Sequence, residues 1–150
     1  MTNDDLHNVL QDRVWYEFSD AWDRVKLAAP AIVSKAAASP VRVECPRRHP
    51  LFRVRLNIDD LEPVDLTRIG GLMPRFDVDY LDDGVRISDG LPRDLFGGRP
   101  RAISWEERLV IHCPACFAKS GKTDYILKSS KLLRLMFDSV AGNRPVIRLS

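Results

Sequence analysis

The sequence is poor in the residues that most often carry chemistry. It has 3 cysteines and 3 histidines, and 3 each of methionine, tryptophan and tyrosine, in 150 residues. No apolar run approaches the roughly 20 residues of a membrane-spanning helix, so no membrane partner is expected. The opening Met1-Thr2-Asn3-Asp4-Asp5 lacks the basic-then-apolar order of a secretory leader. An odd cysteine count in short-spaced motifs argues against a disulfide framework and predicts a reducing, cytoplasmic setting. Walker, dinucleotide-binding and nucleophile-elbow patterns are missing. A zinc deaminase is excluded as well: no histidine is followed two positions later by Glu, and Pro114 follows Cys113 rather than preceding it. There is no internal repeat and no low-complexity tract.

What remains is ordinary for a soluble globular chain: 45% hydrophobic, 29% charged and a formal net charge of +2. That small net charge hides an asymmetry. Residues 57–98 carry 4 basic against 10 acidic side chains, and residues 99–150 carry 10 against 4. Arginine outnumbers lysine 17 to 6, the bias of a GC-rich genome such as an actinobacterium's or its phage's, which says nothing about function. One domain spanning 1–150 is expected from the length.

Periodicity divides the chain. From Asp4 to about Lys26, Leu6, Val9, Leu10, Val14, Phe18, Ala21, Trp22 and Val25 recur at helical spacing, with Asn3 as cap. Trp15 and Tyr16 widen that stripe, either as core or as a contact surface. A second short helix is expected over 31–38, ended by Ser39-Pro40. Residues 1–39 thus form a helical N-terminal segment. From Val41 the period becomes two: Val41, Val43 and Cys45 share one face, and Phe52, Val54 and Leu56 alternate with Arg53 and Arg55. Within the acidic stretch 58–104, Phe76, Val78 and Tyr80 alternate with Asp77 and Asp79. Asp83-Gly84 reads as a type I′ hairpin turn returning through Val85 and Ile87. Leu91 to Arg101 reads as a surface loop. Arg108–His112 and Thr123–Leu127 read as strands. Ser129 or Ser130 is placed to cap a helix through Val140, Gly142 to end it, and 144–149 to add an edge strand within the C-terminal 129–150.

All three cysteines and two of the histidines fall in two runs, Cys45-Pro46-Arg47-Arg48-His49 and His112-Cys113-Pro114-Ala115-Cys116. A tetrahedral zinc site takes four thiolate or imidazole ligands, commonly as two close pairs. Cys45, His49, Cys113 and Cys116 form such a set, with His112 as the alternative fourth ligand; His7 reads as a surface or core histidine. Proline after the first cysteine of each run restricts the turn and frees N–H groups for sulfur. This pattern resembles a zinc ribbon, in which two turns clamp one metal between β-hairpins. The resemblance covers the two runs and their flanking strands, 40–57 and 105–128, and departs from the commonest form in having C-x3-H. It implies one structural Zn²⁺. The expected architecture is α+β: a zinc-ribbon-like β core, an N-terminal helix, a hairpin insertion and a C-terminal helix.

A non-enzymatic binding module follows, since no nucleophile, base and orienting group stand together. The most concrete partner is DNA or RNA, contacted at phosphates by Arg47, Arg48, Arg53, Arg55, Lys119 and Lys122. The alternative is a protein partner met by the N-terminal aromatic helix or the acidic insertion. A third reading is C-x-x-C redox chemistry, disfavoured because no helix is expected after Cys116. Asp77, Asp79, Asp82 and Asp83 can bind a hard cation, although an outward strand face and a turn explain them better.

Overall fold

The computed structural model describes residues 30–63, 72–90, 94–96, 107–120 and 124–150. The expected N-terminal helix with His7, Trp15 and Tyr16, and also Lys122 and Gly97-Gly98, lie outside the described residues. Among the described residues the order is α1 (Pro30–Ala38), β1 (Val41–Glu44), β2 (Pro50–Pro63), β3 (Leu72–Tyr80), β4 (Arg86–Ser88), β5 (Arg108–His112), α2 (Pro114–Ser120), β6 (Asp124–Lys128), α3 (Ser129–Ala141) and β7 (Val146–Arg148). The class is α+β, as expected.

Two sheets form. The first has the order β3-β2-β1-β7, the second β4-β5-β6. In the first, β1 and β2 run antiparallel, as do β2 and β3, while β7 joins β1 in parallel. The second is antiparallel throughout. Period-two patterning explains both: Val41, Val43, Val54 and Leu56 are buried, as are Ile87, Leu109, Ile111, Tyr125 and Leu127. The helices cover this apolar surface. Val33 and Ala36, one turn apart on α1, and Leu132, Leu133, Met136, Phe137 and Val140 on α3 belong to the same core cluster. Helix α1 packs on β2 and α3, and α3 packs on β1, β6 and β7.

Helix α3 ends at Gly142, as expected, but the left-handed residue is Asn143 (φ 53°). The Asn143 N–H donates to the Val140 carbonyl at 3.3 Å and the Arg144 N–H to that of Ser139 at 2.8 Å. These are the paired bonds of a Schellman motif. Its start differs from expectation. Lys128 occupies the cap position without a side-chain bond. The Ser129 hydroxyl instead donates to the Glu107 carbonyl at 3.1 Å, because β6 runs straight into the helix and keeps Ser129 beside the start of β5.

Two further expectations are corrected. The chain does not form a hairpin at Asp83-Gly84: β3 pairs with β2, and β4 pairs with β5 in the other sheet. Neither Asp83 nor Gly84 has a positive φ. The turn is held by the Asp82 carboxylate, which accepts the Gly84 N–H at 3.0 Å, and by Val85 N–H donating to the Asp82 carbonyl. Nor is all of 91–101 surface loop. Leu95 is buried, its N–H donating to Ile87 at 2.7 Å, and the Asp94 carboxylate accepts from the Tyr80 hydroxyl. Burial, then the Asp94 contact, raises the Tyr80 pKa.

Candidate metal centre

The first half of the centre closes the β1–β2 hairpin. Alternation along β1 carries Val41, Val43 and Cys45 onto the buried face. Arg48 N–H then donates to the Cys45 carbonyl at 2.9 Å, and Cys45 N–H to the His49 carbonyl at 3.1 Å. This three-residue loop requires a left-handed residue at its last position, and Arg48 takes it with φ 69°. Immediately beyond, the register shifts, Val43 facing Phe52 and Glu44 facing Pro50, so Leu51 is the extra, buried residue of a bulge. The bulge re-aims the strand so that His49 turns inward over Cys45. Its N–H donates to Cys45 Sγ at 3.4 Å, and its Nδ1 lies 3.2 Å from that sulfur.

The second half leaves β5. Leu109, Ile111 and Cys113 follow one another on the buried face. The chain then enters α2, contrary to the expectation that no helix follows the pair. The Phe117 N–H donates to the Cys113 carbonyl at 3.1 Å, and one turn brings Cys116 to the same side as Cys113. The Pro114 ring packs against Gly84, where an added Cβ would stand 2.8 Å from the proline Cβ.

The two halves meet. The donor atoms of Cys45, His49, Cys113 and Cys116 all lie within 4.8 Å of one another. Cys116 Sγ is 3.7 Å from Cys45 Sγ and 3.5 Å from His49 Nδ1, and Cys113 Sγ is 3.7 Å from the same nitrogen. All three cysteines are wholly buried, and His49 is half-buried. Among the described residues this is the one group of Cys, His, Asp and Glu side chains close enough to hold a metal ion. His112, the alternative ligand, points to the other side of β5, its Nδ1 3.0 Å from an Asp124 carboxylate oxygen.

The surroundings set the thiols apart. Burial pushes Cys113 up to about 11. Burial acts in the same direction on Cys116, but hydrogen bonds from Tyr125, His49 and the two other cysteines outweigh it and hold that thiol down to about 7. The Tyr125 hydroxyl lies 3.3 Å from Cys116 Sγ, and that contact, then burial, raises the tyrosine to about 12. Sequence reasoning missed this residue. Its place on the buried face of β6, two positions before Leu127, was readable from alternation; the partner of its hydroxyl was not.

The arginines and lysines proposed for phosphate contact do not converge as one set. Arg47 and Arg48 are exposed on the first loop, and Lys119 is exposed on α2. Arg53 faces Asp79 across the β2–β3 ladder. Arg55 donates to Asp77 at 3.0 Å and to the Ala37 carbonyl at 3.3 Å. Asp77 also accepts from Asn57 at 3.1 Å and pairs with Arg75, so it is occupied by cationic and amide donors. Comparison with protein-family models, with curated proteins and with solved structures gives no match, and the geometry of the four-residue cluster carries the functional argument by itself.

Proposed function

We propose that this chain is a non-enzymatic binding module in which one structural Zn²⁺, held by Cys45, His49, Cys113 and Cys116, clasps the two sheets together. The observation that carries the reading is the set of separations. Zn–S bonds of about 2.3 Å and a Zn–N bond of about 2.0 Å at tetrahedral angles require S–S edges of about 3.8 Å and S–N edges of about 3.5 Å. One sulfur pair at 3.7 Å and the three sulfur–nitrogen pairs at 3.2, 3.5 and 3.7 Å, four of the six edges, lie within about 0.3 Å of those values, and all four donors are within 4.8 Å of one another. Three thiols and an imidazole select zinc over the hard, oxygen-seeking cations. Four protein ligands with three wholly buried sulfurs leave no position for water or substrate. The same burial disfavours redox chemistry, which needs a thiolate open to its partner; the helix after Cys113 does not alter that.

For the partner, the support is narrower. Arg47, Arg48 and Lys119 stand on the two segments that supply the ligands, and we propose that they contact nucleic-acid phosphates around the centre. A protein partner is favoured instead by Phe117 and Ile126, which are 68% and 61% exposed on the second sheet's side of the molecule.

Metal content by mass spectrometry, with thiol titration before and after chelation, tests the centre. One zinc per chain and thiols shielded until chelation are expected; no metal and three freely reactive thiols would overturn it. A salt-dependent shift with DNA or RNA, weakened in an Arg47→Ser, Arg48→Ser double variant, tests the phosphate contacts.

A further inference from the structure

A zinc ion with three thiolates and a neutral imidazole leaves one net negative charge inside the fold, where an anion without hydrogen-bond donors is costly. Among the described residues the Cys116 N–H is a backbone donor to Cys113, and two further donors reach the other sulfurs. One is the His49 N–H on Cys45 Sγ at 3.4 Å. The other is Tyr125, whose hydroxyl lies 3.3 Å from Cys116 Sγ. A metal-bound thiolate has no proton, so between these two atoms the hydroxyl is the donor. The placement is built in from both sides. Tyr125 is 7% exposed on β6, and it stands opposite Ile111, two residues before Cys113 on β5. The strand pair that delivers Cys113 therefore delivers the tyrosine too, and the turn of α2 brings Cys116 against it. Phenylalanine would fill the same apolar volume, so what the tyrosine adds at this position is the polar contact.

We propose that the Tyr125 hydroxyl is a hydrogen-bond partner of the metal-bound Cys116 thiolate and sets how firmly the centre holds its ion. This rests on the zinc reading given above. A charge-assisted bond of this kind draws electron density from the sulfur and makes it a poorer nucleophile and a weaker base. Loss of the bond opens Cys116 first to protons and to competing chelators. Partners of metal ligands outside the coordination sphere commonly change metal affinity by about 10–100-fold.

The test compares the wild-type chain with Tyr125→Phe, each loaded with Zn²⁺ and, separately, with Co²⁺. The variant is expected to bind one ion per chain, to release zinc to a chromogenic chelator about tenfold faster, and to show its thiolate-to-cobalt band at lower energy. Equal release rates and an unmoved band would overturn the proposal while leaving the zinc site standing. A wild-type chain that takes up no stoichiometric metal would sink the zinc reading and this inference with it. Should the variant fail to fold, ¹¹³Cd-loaded wild-type protein decides. A tyrosine hydroxyl proton protected from exchange and coupled to cadmium supports the bond; a cadmium-loaded spectrum without it overturns the proposal.

Discussion

Cys116 occupies the crowded corner of the cluster, with Cys45, His49 and Tyr125 all within 3.7 Å of its sulfur. Cys116→Ser exchanges a polarisable sulfur for a hydroxyl that remains protonated, and an ion in the cluster would lose one of its four proposed ligands. The expected result is loss of stoichiometric zinc and a fall in folding stability of about 4 kcal/mol or more, read from denaturant titration. An unchanged midpoint would remove the metal from any structural role. Arg48 offers a backbone counterpart. Its φ of 69° is tolerable for a long unbranched side chain and poor for a β-branched one. Arg48→Val is expected to destabilise by about 1–2 kcal/mol, and Arg48→Gly not to destabilise; the two midpoints compared directly check it.

Among the elements, the joint between β3 and β4 is the informative one. Gly84 is required by proximity rather than by dihedral angle, since its missing Cβ makes room for the Pro114 ring beside Cys113. Gly84→Ala is expected to cost about 1–3 kcal/mol and to raise the rate of zinc loss, because proline cannot rotate away. Melting temperature and chelator kinetics measured on one preparation check both effects. The same joint marks where the sequence could be read and where it could not. Alternation at Val41–Cys45, Phe52–Leu56 and Phe76–Tyr80 reports which face is buried, and those strands stand where alternation puts them. A turn such as Asp82–Val85 reports that the chain bends. It does not report which sheet receives the next strand, a choice made by packing between residues distant in sequence. Helix α2 was missed for a related reason: seven residues are too few for a periodic pattern, and tertiary contacts rather than propensity hold such a turn. The four-residue cluster was readable because ligand spacing is local within each pair. The bulge at Leu51 that aims His49 was not, since a bulge depends on the register of two strands at once.

At the scale of the whole molecule, the four-residue cluster brings a hairpin of the first sheet to the end of a strand in the second, across 63 intervening residues, and an ion held there would join them. Closing such a loop costs entropy that grows slowly with its length. Chelation is expected to lower the melting temperature, with stability rising by RT ln(1 + [Zn²⁺]/Kd) on re-addition. A melting temperature that ignores zinc would count against the clasp. Acid acts in the same direction as the chelator, because protons compete with the ion for each donor. The Cys116 thiol, held down to about 7, favours the folded metal-free chain above its ordinary value and loses that contribution as pH falls through about 7. Cys113, pushed up to about 11 by burial, holds its proton against an incoming metal, which must displace it. Zinc occupancy followed by mass spectrometry from pH 8 to pH 5 is expected to fall monotonically. Charge at this scale also redirects the partner question. Arg55 of β2 is paired with Asp77 of β3 and Arg53 stands opposite Asp79, so among the described residues the loop arginines and Lys119 are the basic side chains on the segments that supply the four donors.

The sheet order β3-β2-β1-β7 has a consequence in time as well as in space. Strands β1, β2 and β3 are neighbours in sequence and can zip together as they emerge from the ribosome. The far side of β1, where the Arg42 N–H donates to Pro145 and the Leu149 N–H donates to Glu44, waits for a strand made roughly a hundred residues later. Until Arg148 has cleared the exit tunnel, that flank of β1 is an open edge, able to pair with any extended chain nearby. A ribosome stalled within α3 would therefore hold out a nascent chain with three strands of its first sheet made and the β1 flank uncovered.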